Sequence, residues 1–250
     1  EAEKFMKEQG ILLGILHTGR AAPFYASHSW ETIPMNTSTR PAAFYLRESD
    51  GTPSHHCREV DIHGSGEEEN NSREALGRLY ESYCLHFNGA FRRNHPDYWK
   101  DWVNCELEKV SGKVVVAEGG TNGGWAGYLA YHWKEEDKDG QKTVTLVVLE
   151  FVVDESAFKE DGGSRIFGSL LEYASAKTGI TRDGFQVVIR SAIADAFKNR
   201  GIEKEEEPQG EVQEDRGWMF KVIDPSILAG KERLAEVFGS NFIFWQVDKF

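Results

Sequence analysis

Residues 11–34 read ILLGILHTGRAAPFYASHSWETIP, and this stretch decides the fold. Ile11 to Leu16 is an apolar run of strand length. It leads into a short helical segment, 20–28, that carries Phe24-Tyr25 and closes near Trp30. Extended segments follow near 30–35 and 42–47, punctuated by Pro34 and Pro41. Upstream, Ala2, Phe5 and Met6 fall on one face of an amphipathic helix that Gly10 ends. The sequence opens inside that helix without an initiator Met, which reads as a fragment lacking its N-terminal part.

Further along, residues 49–72 are loop-like around a short strand, Arg58–Ile62, and mark a domain boundary. Ser72 is the expected N-cap of an amphipathic helix over 73–87, whose stripe is Leu76, Leu79, Tyr80, Tyr83 and Phe87. A second helix begins near His95-Pro96 and carries Tyr98, Trp99, Trp102 and Val103. Strands are expected at 113–119, 125–133 and 143–154, the last two as an antiparallel hairpin. Helix 164–177, strand 185–191, a short helix up to Gly201 and strand 217–224 follow. A helix over 226–238 and a strand over 242–247 close the chain. The run EKEEEPQGEVQED between Glu203 and Asp215 reads as a solvated acidic loop.

The chain has 250 residues, enough for one large domain or two of modest size. Its net charge of −12 argues against a nucleic-acid surface, which needs clustered Lys and Arg, and leaves a weak bias toward cationic partners such as amines. No apolar run is long enough to span a bilayer, so no membrane partner is expected. Cys57, Cys84 and Cys105 are odd in number and lack CxxC spacing, so neither a disulfide framework nor a zinc site is expected, and a reducing, cytoplasmic compartment is. His55-His56-Cys57 with His63 reads as a solvated polar loop and not as a metal site.

After residue 73 the order is helix, helix, two or three antiparallel strands, helix, strand, short helix, strand. Residues 1–34 repeat the tail of that order. Together these resemble the GCN5-related N-acetyltransferase (GNAT) superfamily, whose Phe-Tyr helix lies beside the cofactor. YESYCLHFNGAFRRNHPDYWKDWV (80–103) and GWAGYLAYHW…TVTLVVLEFVVD resemble the second domain of tandem acetyltransferases of the enhanced-intracellular-survival type. TGRAAPFYASHSW is similar to a run in fungal lysine-acetyltransferase-like proteins. The fold expected is α/β (α+β): a mixed, mainly antiparallel twisted sheet with helices on both faces. Residues 1–48 would be the C-terminal part of a first such domain, 49–72 a linker and 73–250 a nearly complete second one.

The resemblance implies an acetyl-CoA-dependent N-acetyltransferase acting on a primary amine, either a small molecule or a protein lysine. Tyr25 would be the general acid toward the leaving thiolate, with Phe24 and Tyr25 beside acetyl-CoA. Glu150, among apolar neighbours, is a candidate base if its pKa is raised, although strand alternation favours turning it to solvent. The Phe250 carboxylate is a third candidate, since the chain terminus reaches the active site in the tandem enzymes. The family binds pyrophosphate on a Gln/Arg-x-x-Gly-x-Gly/Ala turn at a helix N-terminus. In the second unit that turn falls between Asp154 and Leu171, where Arg165 and Phe167 replace the glycines and Phe167 reads as a core contact. In the first unit it would precede residue 1. The alternative is therefore a non-catalytic GNAT-like binding or assembly module. Exposed sheet edges in residues 1–48 suggest pairing, hence a homo-oligomer or aggregation.

Overall fold

The computed structural model describes residues 2–11, 13–33, 35–46, 55–87, 93, 97–120, 124–138, 140–197, 211–215 and 217–223. The helix expected at 226–238, the strand at 242–247 and Phe250 lie outside them.

The elements run α1 (Ala2–Glu8), β1 (Leu13–His17), α2 (Ala22–Ser27), β2 (Glu31–Thr32), β3 (Met35–Pro41), α3 (Ala42–Tyr45), β4 (Cys57–Val60) and α4 (Glu67–Cys84). A π-helical turn, Tyr98–Val103, leads into α5 (Asn104–Lys109). Then come β5 (Lys113–Glu118), β6 (Trp125–Lys138), β7 (Gln141–Val153), α6 (Glu155–Asp161), α7 (Ser164–Thr178), β8 (Gln186–Arg190), α8 (Ser191–Phe197), β9 (Glu211–Asp215) and β10 (Trp218–Val222).

Seven strands form one sheet in the order β4-β5-β6-β7-β8-β3-β9, antiparallel except for the β7–β8 pair. This is the mixed, mainly antiparallel sheet the sequence implied. Residues 146–153 of β7 are buried throughout, because both faces of the strand are covered by helices. Phe151 meets Phe167 of α7 on one face, while its neighbour Glu150 meets Arg93 on the other.

The parallel pairing of β7 with β8 covers only Thr145–Val147, against Gln186–Val188. Two residues on, Ala130 pairs with Glu150 and Tyr131 with Val148, so Leu149 is an extra residue in β7. Such a bulge bends a strand and steepens its twist. The bulge accounts for β7 leaving β8 at this point. The wedge between them is filled by aromatic rings: Phe197 of α8 packs on Phe151 at 5.8 Å and on Phe167 at 5.3 Å, with Tyr45 against Phe167 at 5.2 Å.

A smaller sheet has the order β1-β10-β2. Its core is Ile33, Met35, Trp218 and Phe220. The two sheets share one internal motif, strand–short helix–strand–strand, present as β1-α2-β2-β3 and as β8-α8-β9-β10. In each copy of this motif the third strand leaves its own sheet. β3 lies antiparallel between β8 and β9, and β10 lies antiparallel between β1 and β2. β3 and β10 are thus exchanged between the two sheets.

Four local expectations need correction. Residues 42–45 are not extended but form one helical turn, with Ala42 N–H bonded to the Phe185 carbonyl at 3.1 Å. Helix α4 starts at Glu67 behind Gly66 and not at Ser72; its three first-turn glutamates favour the positive end of the helix dipole. Residues 211–215 are not loop but an edge strand on β3, and charged sequence is a common protection for such an edge. Trp99 and Trp102 sit on a π turn, where an α-helix was expected.

Candidate functional site

Helix α2 holds the first candidates. Pro23 stands in its first turn, where a missing N–H costs nothing. The chain turns at its end with Ser29 at φ 63°, and the Trp30 N–H bonds the Tyr25 carbonyl at 3.1 Å. This brings the Trp30 ring edge-on to Tyr25 at 5.8 Å, with Phe24 on the other side at 5.3 Å. Tyr25 is half-buried, and its hydroxyl makes no hydrogen bond among the described residues. Phe24 is 60% exposed and lies 4.6 Å from the His28 ring. Below them, Lys221 of β10 bonds the His28 carbonyl at 2.7 Å and Glu3 of α1 at 2.6 Å, tying both helices to the small sheet.

Glu150 is placed differently from the expectation of a solvent-facing side chain. It is fully buried, because helices cover both faces of β7. Arg93 grips it with both terminal nitrogens, Nη1 to Oε1 at 2.9 Å and Nη2 to Oε2, and the Tyr128 hydroxyl donates to Oε1. Burial, and then the Glu150 charge, push the Tyr128 phenol well above its ordinary range, so it remains a donor. The Arg93 guanidinium lies 3.7 Å from the Tyr80 ring centre and 5.0 Å from that of Trp99. Nothing in the sequence announced this cluster; Arg93 sits in a polar run.

The turn before α7 is where the second unit would hold pyrophosphate. Gly162 and Gly163 have φ of 70° and 88°, and a Cβ on Gly163 would come within 2.9 Å of Val153. Two amides at the helix start are already taken. Asp161 accepts from Gly163 N–H at 2.8 Å and from Arg165 N–H at 3.2 Å, and it also pairs with the Arg165 side chain at 3.1 Å. A cavity of about 150 Å³ beside the turn is lined by Asp154, Glu160 and Asp161 as well as Arg165. These carboxylates repel a phosphate, so this turn does not fit the pyrophosphate of coenzyme A. Phe167 is 1% exposed, a core contact as expected.

The sites expected from sequence are not brought together. Phe24 and Tyr25 are on α2, between β1 and β2 of the small sheet, and Glu150 is in the core of the large one. Among the described residues no cluster of His, Cys, Asp and Glu suits a metal ion, and no helix is long and apolar enough to cross a membrane.

No family model matches the chain, and no curated protein does. Solved structures do. A GCN5-related N-acetyltransferase from Anabaena variabilis superposes on 89% of this chain and 49% of its own, with a TM-score of 0.58 and 15% identity. A probable N-acyltransferase from Enterococcus faecalis superposes on 89% of this chain and 48% of its own, with a TM-score of 0.54 and 13% identity. The chain therefore spans about half the length of either protein. Identities this low speak for architecture alone, and on that ground the chain is built on the fold of the GCN5-related N-acetyltransferases.

Proposed function

We propose that the chain is part of an acyl-CoA-dependent N-acyltransferase, with acetyl-CoA as donor and a primary amine, free or on a protein lysine, as acceptor. The observation that carries this reading is the contrast between the two units. In the second, the wedge between β7 and β8 is plugged by Phe197, Phe151 and Phe167, and Asp161 takes up amides at the start of α7. In the first, Tyr25 keeps an accessible hydroxyl with no hydrogen bond among the described residues.

The bound thioester would supply the acyl group. The amine nitrogen forms the new C–N bond, the C–S bond breaks, the proton on Tyr25 Oη passes to the departing sulfur, and the proton released by the nitrogen goes to solvent water, from which Tyr25 is reprotonated. Trp30 and Phe24 hold the Tyr25 ring from two sides. Glu150 serves the reading as a positioning residue inside the fold, because its carboxylate is sealed by Arg93 and Tyr128.

A colorimetric assay of thiol release from acetyl-CoA, run with a panel of primary amines, tests the proposal. Tyr25→Phe should lower kcat by about 10²-fold or more, the scale of a lost general acid, with KM for acetyl-CoA nearly unchanged. Equal kcat in the two proteins overturns the role of Tyr25. The second reading, a non-catalytic assembly module, is favoured by the plugged wedge and the self-capped α7. It would be supported by the absence of acetyl-CoA binding in calorimetry.

A further inference from the structure

A cavity of about 460 Å³ opens at the start of α4, lined by Arg58, Glu67, Glu68, Asn71, Ser72 and Trp125. Its size is that of a small-molecule site. It lies between α4 and strands β4 and β6 of the seven-stranded sheet, whereas Tyr25 is on α2, which connects β1 and β2 of the three-stranded one. Three observations give it a chemistry. Arg58 is already committed: its Nε donates to Glu118 at 3.0 Å, and the other Glu118 oxygen is held by His56 at 3.1 Å. Glu67 and Glu68 form no ion pair among the described residues, so the cavity keeps two carboxylates without a salt-bridge partner. Ser72 is only 8% exposed and lines the cavity, and its hydroxyl has no hydrogen-bond partner among the described residues. Trp125 supplies a half-buried aromatic wall, with the Arg58 guanidinium over its ring at 5.6 Å from the centre.

We propose that this cavity binds an alkylammonium ligand, with the ammonium between Glu67 and Glu68, the Ser72 hydroxyl as a further acceptor and the alkyl chain along Trp125. Anions are disfavoured because the glutamates already occupy the positive end of α4. Cations gain from both carboxylates and from the face of the indole. A free polyamine and a lysine side chain share this chemistry.

Calorimetric titration with spermidine and, separately, with Nα-acetyl-lysine methylamide tests the proposal. Saturable binding that weakens with salt is expected, and the tighter of the two probes identifies the source. Glu67→Gln/Glu68→Gln should weaken it about tenfold or more. Glu135→Gln/Glu136→Gln removes the same charge from β6, where those glutamates pair with Lys142 and Lys134, and should leave binding unchanged. Trp125→Ala should weaken binding, and Trp125→Phe should retain most of it. Equal loss in both double variants would show a general attraction to an acidic protein and overturn the site. Absence of saturable binding, or preferential binding of inorganic phosphate, would do the same. The readout is binding, so it stands or falls independently of acyl transfer.

Discussion

Arg93 and Glu150 form a two-pronged ion pair with side-chain exposures of 0% and 1%, joining the chain before the π-helical turn to the middle of β7. Removing one partner strands the other charge in the core. Arg93→Met or Glu150→Gln should each destabilise the protein by about 3–5 kcal/mol, read from urea unfolding. Replacing both with apolar residues of similar volume should recover much of that loss. A single variant costing under about 1 kcal/mol would mean that water reaches the pair.

Tyr83 carries a buried hydroxyl without a hydrogen-bond partner among the described residues. Tyr83→Phe should therefore stabilise the fold, by about 1 kcal/mol. A loss of stability would reveal a partner for that hydroxyl.

Alkaline pH should unfold the protein early. Burial pushes the Tyr83 phenol well above its ordinary value, and burial pushes the Cys57 thiol up to about 11. A folded-state pKa above the unfolded one gives stability that is complete below the unfolded pKa and is lost as pH rises toward the folded one. The decline should begin near the unfolded thiol value of about 8.5, and Tyr83 should add to it above about 10. Denaturation midpoints measured across that range check the sign. Cys57→Ala should flatten the lower part of the decline, and Tyr83→Phe the upper part.

Asp161 acts as the internal anion of α7. Asp161→Asn should cost about 1 kcal/mol, as lost helix caps do. It should also make the thermal midpoint respond to added pyrophosphate, which the native protein should ignore. A native protein that pyrophosphate stabilises would mean that the second unit binds phosphate after all.

Trp218 is fully buried at the centre of the small sheet, with Ile33, Met35 and Phe220. Trp218→Ala should cost about 3–5 kcal/mol. Hydrogen exchange should rise in β1 and β2 and also in β3, because Met35 belongs to this cluster and to the large sheet at once.

The order of elements was legible because long apolar runs such as 143–154 and the stripe on α7 are local signals. The bulge at Leu149 was not, since every residue around it is apolar and any register satisfies the pattern. Glu150 was misjudged for the same reason: alternation predicts a solvent face only where a strand has one, and β7 has none. Its partner Arg93 lies 57 residues away in a polar run. β9 was hidden by acidic composition, although an edge strand needs only backbone partners. At the first candidate site, Phe24-Tyr25 was legible as an aromatic pair on a short helix. The cavity at α4 was not, because Trp125 and Glu67 meet only through the sheet.

The exchange of β3 and β10 also sets a schedule. Thr37 of β3 pairs with Arg190, so β3 leaves the ribosome roughly 150 residues before either of its neighbours exists. At about 5–20 residues per second that is a wait of roughly 8–30 s. During it, the earlier strands β1 and β2 also lack the strand that must lie between them. Neither half can finish before the other is made, so a stalled or truncated nascent chain presents two unclosed sheets to the cell's quality control.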